Sequence, residues 1–335
     1  MLFYANVLIF VLSVAFIYVL RENAEKWGLI DVPNDRSTHY QHTARGAGIG
    51  FFPPVIISLL IFIPELFLSH LWTFVALIMI FAIGVLDDHR DTSPKTKFVI
   101  ITFATILLYF DGIVIDNLGV FLGTEITLGW FALPFTIIAV IGFTNALNLI
   151  DGLDGLAGSI SIVILLGFFI VGYRNDDLLM ISLSSFFIVA LLAFLIFNWH
   201  PASIFMGDSG SLVLGFVISI LAIQSLNYIP VISILFITAI PNLDTLVVMI
   251  RRIRNHHPIL KADRCHLHHV LRHFFAEDTP KTVFFLAIVQ IMYTITGLQL
   301  ENNIDEFYLL VLFILNVIIF YLLLSAMIKR QKRKC

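Results

Sequence analysis

Charge is scarce in this chain. Of its 335 residues only 13% are Asp, Glu, Lys or Arg, while 59% are hydrophobic and 32 are Phe. With a mean hydropathy of +0.97, that balance excludes an ordinary water-soluble domain of this length. Cysteine is scarcer still. Cys265 and Cys335 stand far apart and outside any zinc-type pair, so no disulfide framework is expected. Cys335 is the last residue, and a prenylation box needs three residues beyond its cysteine. The first apolar stretch, residues 2–20, lacks both a basic region ahead of it and a small-residue cleavage site before Arg21. It is expected to be a retained helix.

What the chain has in abundance is long apolar runs. A crossing takes roughly 20 residues, and hydropathy predicts an all-α polytopic membrane protein, a single transmembrane domain over 1–335 with about eleven transmembrane helices. The spans are 2–20, 47–63, 71–86, 98–110, 130–150, 158–172, 178–198, 211–226, 230–249, 282–299 and 307–327. Residues 112–128 alternate apolar residues with Gly breaks and predict a short β-hairpin. Basic residues set the orientation. With the N-terminus outside and the C-terminus cytoplasmic, the loops 21–46, 87–97, 151–157, 199–210 and 250–281 and the basic tail 328–335 hold 19 of the 20 Lys and Arg, leaving only Arg174 outside. The hairpin then lies on the outer side, and the five cytoplasmic loops are the candidates to form an active site.

Four polar clusters interrupt the apolar background. In the first, Leu-Asp-Asp-His-Arg-Asp, an apolar helix runs into Asp87, Asp88 and Asp91. Such charge at a membrane boundary is costly unless it is used. Its oxygens suit Mg2+, which typically bridges to substrate phosphates, and crowded carboxylates can make one of their number a general base. A solvated helix stop is the plainer alternative. In the second cluster Asn145, Asn148, Asp151 and Asp154 recur every three residues, which would set them on one helix face. An Asp-Gly turn explains part of this pattern, but not two Asn inside an apolar helix.

The third cluster runs from Asn198 to Ser211 and contains Met-Gly-Asp-Ser-Gly-Ser. Asp208 is the candidate metal ligand there. The amides and hydroxyls of residues 209–211 at a helix N-terminus suit an anion, or the polar residues simply cap the helix. The fourth cluster comprises Pro241–Asp244, then Arg251, Arg252 and Arg254, then Arg264, His266, His268 and His269. His266, His269 and His273 share a helical face that zinc could use. The surrounding basic residues disfavour further positive charge, so Mg2+ with His and Arg contacts to a diphosphate is preferred. All four clusters fall on the cytoplasmic side. A secondary transporter should instead gather its sites near the bilayer midplane at broken helices, and a receptor or scaffold needs no such gathering.

These motifs, in this order, resemble the polyprenyl-phosphate N-acetylhexosamine-1-phosphate transferases, over most of the chain. The first loop, with Arg36, His39 and Arg45, also looks like that family's first cytoplasmic loop. The resemblance implies transfer of N-acetylhexosamine-1-phosphate, with GlcNAc first among candidates, from a UDP-sugar to undecaprenyl phosphate. UMP is released, and the step opens synthesis of a cell-surface glycan such as O-antigen. UDP-N-acetylfucosamine, UDP-N-acetylquinovosamine and UDP-GalNAc are the alternative donors, because the first loop looks closer to deoxysugar members and the histidine motif to GlcNAc members. It also implies Mg2+, with Mn2+ as a substitute, held by Asp208 and Asp88, and Asp87 orienting or deprotonating the lipid phosphate. Asn145, Asn148, Asp151, Asp154 and Asn198 would bind the nucleotide side. Arg264, His266, His268 and His269 would contact diphosphate or sugar. The implied setting is the bacterial inner membrane with the active site facing the cytoplasm. Its partners are the UDP-sugar, the lipid phosphate and membrane lipids, with no nucleic acid, and a homodimer is among the assemblies it allows.

Overall fold

The computed structural model describes residues 1–32, 42–256, 266–300 and 304–331. Arg36, His39, Arg264, Cys265 and Cys335 lie outside the described residues. The chain is mostly helical, as its apolar runs require: in hydrocarbon every backbone N–H and C=O must be paired within the segment. The order is α1 (Leu2–Asn23), a two-residue pairing of β1 (Ile30–Asp31) with β2 (Thr43–Ala44), α2 (Gly48–Phe62), α3 (Pro64–Ser69), α4 (Leu71–Arg90) and α5 (Pro94–Phe110). The hairpin β3 (Asn117–Phe121) and β4 (Thr124–Thr127) follows, then α6 (Ala132–Ile150), α7 (Leu156–Arg174), α8 (Leu178–Asn198) and α9 (Gly207–Ser225). The chain closes with α10 (Val231–Ile237), α11 (Ala239–Arg254), α12 (Leu267–Phe274), α13 (Thr279–Gln299) and α14 (Glu306–Arg330).

The predicted hairpin is present and antiparallel, turning at Leu122 and Gly123, both with positive φ. Each predicted span meets a helix, but not every helix is a full crossing. Among the described residues eight are long and apolar enough to cross a membrane, or nine if α10 and α11 count as one span. The chain is a multi-pass membrane protein. Against the eleven expected, α2 has 15 residues and α5 has 17, and α10 and α11 meet at 90°. Hydropathy sums apolar residues without seeing where a helix breaks, and Pro64 and Pro241 mark two of those places.

The helix ends also differ from expectation, and the difference matters. α4 continues through Arg90, so Asp87 and Asp88 lie in its last turn rather than in a loop. α5 begins at Pro94 behind a Ser93 cap, which puts Lys97 on the helix. α9 starts at Gly207 rather than 211, so Asp208 is in its first turn. α6 ends at Ile150 and leaves Asp151 outside it. The segment 250–281, expected as a loop, contains α12. α9 is the central helix, packed on by α2, α4, α6, α7 and α8 and buried along most of its length.

Candidate active site

The ends of α4, α5, α6 and α9 bring their polar residues to one place, with the loops beside them, because the α9 N-terminus is wedged between α2 and α4. A Cβ on Gly84 of α4 would lie 2.5 Å from Ser209 Cα, and one on Gly48 of α2 would lie 2.3 Å from the Ser209 carbonyl carbon. No larger residue fits at that approach. The wedge is held electrostatically as well. Asp88 Oδ1 accepts from Asp208 N at 2.8 Å and Asp88 Oδ2 from Ser209 N at 3.1 Å. A carboxylate from 120 residues earlier thus caps the helix and meets the positive end of its dipole. The anion expected at residues 209–211 is therefore supplied by the protein itself, and both oxygens of Asp88 are engaged in holding Asp208 in place.

Asp208 and Asp87 then converge on a group that the motifs do not advertise. Lys97 Nζ lies 2.8 Å from Asp87 Oδ2 and also donates to Asp208 Oδ2. Asp87 Oδ1 accepts from both the N–H and the hydroxyl of Thr92, at 2.7 and 2.6 Å. From α6, Asn148 Nδ2 donates to Asp208 Oδ1 at 3.0 Å and to Ser211 Oγ at 2.8 Å. Asn145 lies a turn earlier on α6, and no hydrogen bond ties its side chain to a described residue. Lys97 escaped sequence reasoning because a lysine beside a membrane helix looks like an ordinary boundary charge. Its position ten residues after Asp87 in the same polar stretch was the available signal.

The Asn/Asp pattern of the second cluster does not continue as one helix face. Asp151 follows the end of α6 with φ −76 and ψ 52, and Asp154 turns away towards the third cluster. Asp154 Oδ2 lies 2.7 Å from His200 Nδ1 and accepts from Ala202 N at 3.1 Å. Asn198, 4% exposed, ties the same two loops together, accepting from Gly155 N at 2.9 Å and donating to Ile204 O at 2.8 Å. It braces the two loops from within the wall of the polar cavity. Asp151 is different. Burial, then the carboxylates of Asp208, Asp88 and Asp154, push its pKa up to about 7. No hydrogen bond or ion pair joins it to a described residue.

The first loop reaches the site through backbone pairing. Phe205 N donates to Ala44 O and Ala47 N to Phe205 O, at 2.8 and 3.1 Å, which sets Arg45 at the cavity wall with a buried, unpaired Nε. The histidine region arrives on α12. Asp244 of α11, 1% exposed, accepts from Leu267 N at 2.7 Å and lies 2.9 Å from His266 Nδ1. His268 is buried against the second cluster: a Cβ on Gly152 would lie 2.5 Å from His268 Nε2. Burial holds the His268 imidazole well below the usual histidine range, so it is neutral at pH 7. His273 pairs instead with Glu277 at 2.9 Å on the exposed side, away from the zinc face considered for it.

The result is a polar cavity of about 320 Å3 whose walls include Asp87, Asp88, Asp151, Asp154, Asp208, Arg45 and His269. Carboxylates outnumber cationic groups there, and at least one of them, Asp151, has no partner among the described residues. Carboxylate oxygens are the ligands that a hard divalent cation takes, although among the described residues no three His, Cys, Asp or Glu side chains already stand together as a metal-binding group. A second cavity of about 530 Å3 is a nearly pure apolar groove between α6, α9, α10, α11 and α14. It touches Ala146, one turn before the end of α6, while the polar cavity touches Asp151 just beyond that end. The carboxylates sit at helix ends, not at the α10–α11 break where a transporter would need them.

The model for glycosyl transferase family 4 matches residues 70–226, a stretch that contains three of the four clusters. A probable undecaprenyl-phosphate N-acetylglucosaminyl 1-phosphate transferase of Bacillus subtilis (strain 168) is 34% identical over 309 residues, 89% of this chain and 84% of the relative. The undecaprenyl-phosphate alpha-N-acetylglucosaminyl 1-phosphate transferase of Yersinia pestis is 31% identical over 339 residues, covering 97% and 91% of the two chains. That of Escherichia coli (strain K12) is 28% identical over 346 residues, covering 97% and 93%. With such identity sustained along nearly the whole length, this chain belongs to glycosyl transferase family 4 and is a multi-pass membrane transferase.

Proposed function

We propose that this enzyme transfers N-acetylglucosamine-1-phosphate from UDP-GlcNAc to undecaprenyl phosphate at the cytoplasmic face of a bacterial inner membrane, opening synthesis of a surface polysaccharide such as O-antigen. The observation that carries this reading is that one helix, α6, has an apolar groove along it and a carboxylate-lined cavity just beyond its end. A lipid phosphate needs both, an apolar trench for its chain and a polar chamber for its head. The names of the relatives support the acceptor and the sugar, and the one-sided distribution of Lys and Arg supports the orientation.

In the reaction an oxygen of the lipid phosphate attacks the sugar-bearing phosphorus, the P–O–P bond to the uridine side breaks, and UMP leaves. A phosphate monoester has a second pKa near 6, so the acceptor is largely dianionic at neutral pH and needs no strong base. Asp87, bonded to Thr92 and Lys97, orients Lys97 rather than removing a proton. Asp208 and Asp151 would hold Mg2+, or Mn2+ in its place, and the ion would supply charge neutralisation for two anions that must meet. Arg45 and His269, in the cavity wall, would offer further positive charge or hydrogen bonds to the diphosphate, and Lys97 would balance the charge of Asp87 and Asp208. Neutral His268, packed on Gly152, shapes the wall beside them.

Purified protein mixed with undecaprenyl phosphate and radiolabelled UDP-GlcNAc should yield labelled lipid and UMP with Mg2+, and neither with EDTA. Product only from UDP-N-acetylfucosamine, UDP-N-acetylquinovosamine or UDP-GalNAc would change the sugar. Silence with all four donors would overturn the reaction. For the orientation, His89→Cys at the exposed end of α4 should label only from the cytoplasmic side of sealed vesicles.

A further inference from the structure

The wall of the apolar groove depends on a helix that is broken, and side chains of α13 mend the break, chiefly Gln290, with a longer bond from Thr294 Oγ1 to Ile237 O at 3.5 Å. In a continuous helix the Ile237 carbonyl would receive the N–H of residue 241. That residue is Pro241, which has none. Beyond the 90° bend, Ile240 is the second residue of α11 and its N–H is one of the donors that a new helix start leaves unpaired. In a membrane interior both groups are expensive to abandon.

Gln290 of α13 satisfies both at once. Its Nε2 donates to Ile237 O at 2.7 Å and its Oε1 accepts from Ile240 N at 2.9 Å. The side chain is fully buried, and its second amide hydrogen goes to Thr294 Oγ1, one turn further along α13, at 3.0 Å. A primary amide is the side chain that can present one donor and one acceptor to the two lips of the same break.

What the break orients is functional on two faces. Asn242, Thr245, Leu246 and Met249 of α11 line the apolar groove. On another face Asp244 anchors α12 through His266 and Leu267 N, and α12 carries His268 and His269. We propose that Gln290 is a positioning residue for the lipid acceptor: by clasping the α10–α11 break it sets the angle of α11, and so the width of the groove and its alignment with the histidine helix. This inference rests on the transferase reading for the identity of the lipid.

The test compares wild type with Gln290→Leu in detergent, measuring KM separately for undecaprenyl phosphate and UDP-GlcNAc, and lipid binding by native mass spectrometry. The expected result is about a tenfold rise in KM and in dissociation constant for the lipid, with the KM for UDP-GlcNAc within about twofold of wild type. Gln290→Glu, which keeps the acceptor for Ile240, should recover part of the lipid affinity. Unchanged lipid affinity in Gln290→Leu, or equal rises in both KM values, overturns the proposal. Should Gln290→Leu fail to fold, Thr294→Val decides: it leaves both Gln290 bonds to the break but removes the support of the amide and the longer Thr294 bond to Ile237 O, and a lipid affinity equal to wild type would reduce Gln290 to a structural residue. If wild type binds the lipid but transfers no sugar phosphate, the transferase reading fails while the binding arm still judges Gln290.

Discussion

Lys97 and Asp208, 111 residues apart, meet through the lysine ammonium, which is shared with Asp87. The three side chains are each between 12% and 23% exposed, so water screens the contact only in part. Removing one partner of such a pair typically costs about 3–5 kcal/mol when the other is left uncompensated. Lys97→Met is therefore expected to lower kcat/KM by at least about a hundredfold, while Lys97→Arg retains a measurable fraction. Steady-state rates of the two variants check this, and full activity in Lys97→Met would remove Lys97 from the site.

Asp88 and Asp208 should separate by phenotype although they are neighbours. Asp208→Asn leaves the Asp88 cap intact, since the cap uses the backbone N–H of Asp208, and is expected to fold normally with turnover lost. Asp88→Ala uncaps α9 at about 1–2 kcal/mol and should lower the melting temperature in detergent along with activity. The reverse pattern, a stable Asp88→Ala and an unstable Asp208→Asn, would exchange the two roles.

Gly152→Ala puts a methyl group 2.5 Å from His268 Nε2. The His268 ring must swing away or α12 must shift, and turnover should fall by about tenfold or more, in line with the cost of a small misplacement at a reacting site. The check has two parts: rates, and faster modification of histidines by diethylpyrocarbonate as buried His268 becomes accessible. An unchanged rate of modification would show that the contact gives way elsewhere.

Asp151 predicts a pH dependence of stability. Its pKa rises on folding from 3.8 to about 7, so the folded protein binds the extra proton. The stability this contributes is fully present below about pH 4 and is lost as pH rises to about 7. In EDTA the melting temperature of wild type should decline across that window, and Asp151→Asn should flatten the decline. Mg2+ should then stabilise wild type more at pH 8 than at pH 6, because deprotonated Asp151 is the form that can hold it. A parallel decline in Asp151→Asn would assign the effect to another group.

The membrane character of this protein, its hairpin and the places of its polar clusters were legible in the sequence because each depends on neighbours in the chain. Apolar runs need a fixed number of residues, a hairpin shows as alternating apolar residues with Gly breaks over 112–128, and Asp87, Asn148, Asp151 and Asp208 stand out as polar residues beside apolar helices. Only the tertiary structure decided what each one does. Asp88 reads as a metal-type carboxylate and serves as the cap of a distant helix, Lys97 reads as a boundary charge and joins two carboxylates, and Asn198 reads as a ligand and braces two loops. Gln290 reads as a stray polar residue in an apolar helix, yet it closes a break opened by Pro241. The physical reason is common to all four. A hydrogen bond or ion pair is satisfied by whatever group packing brings within about 3 Å, and local patterning carries no record of a partner 50 or 120 residues away.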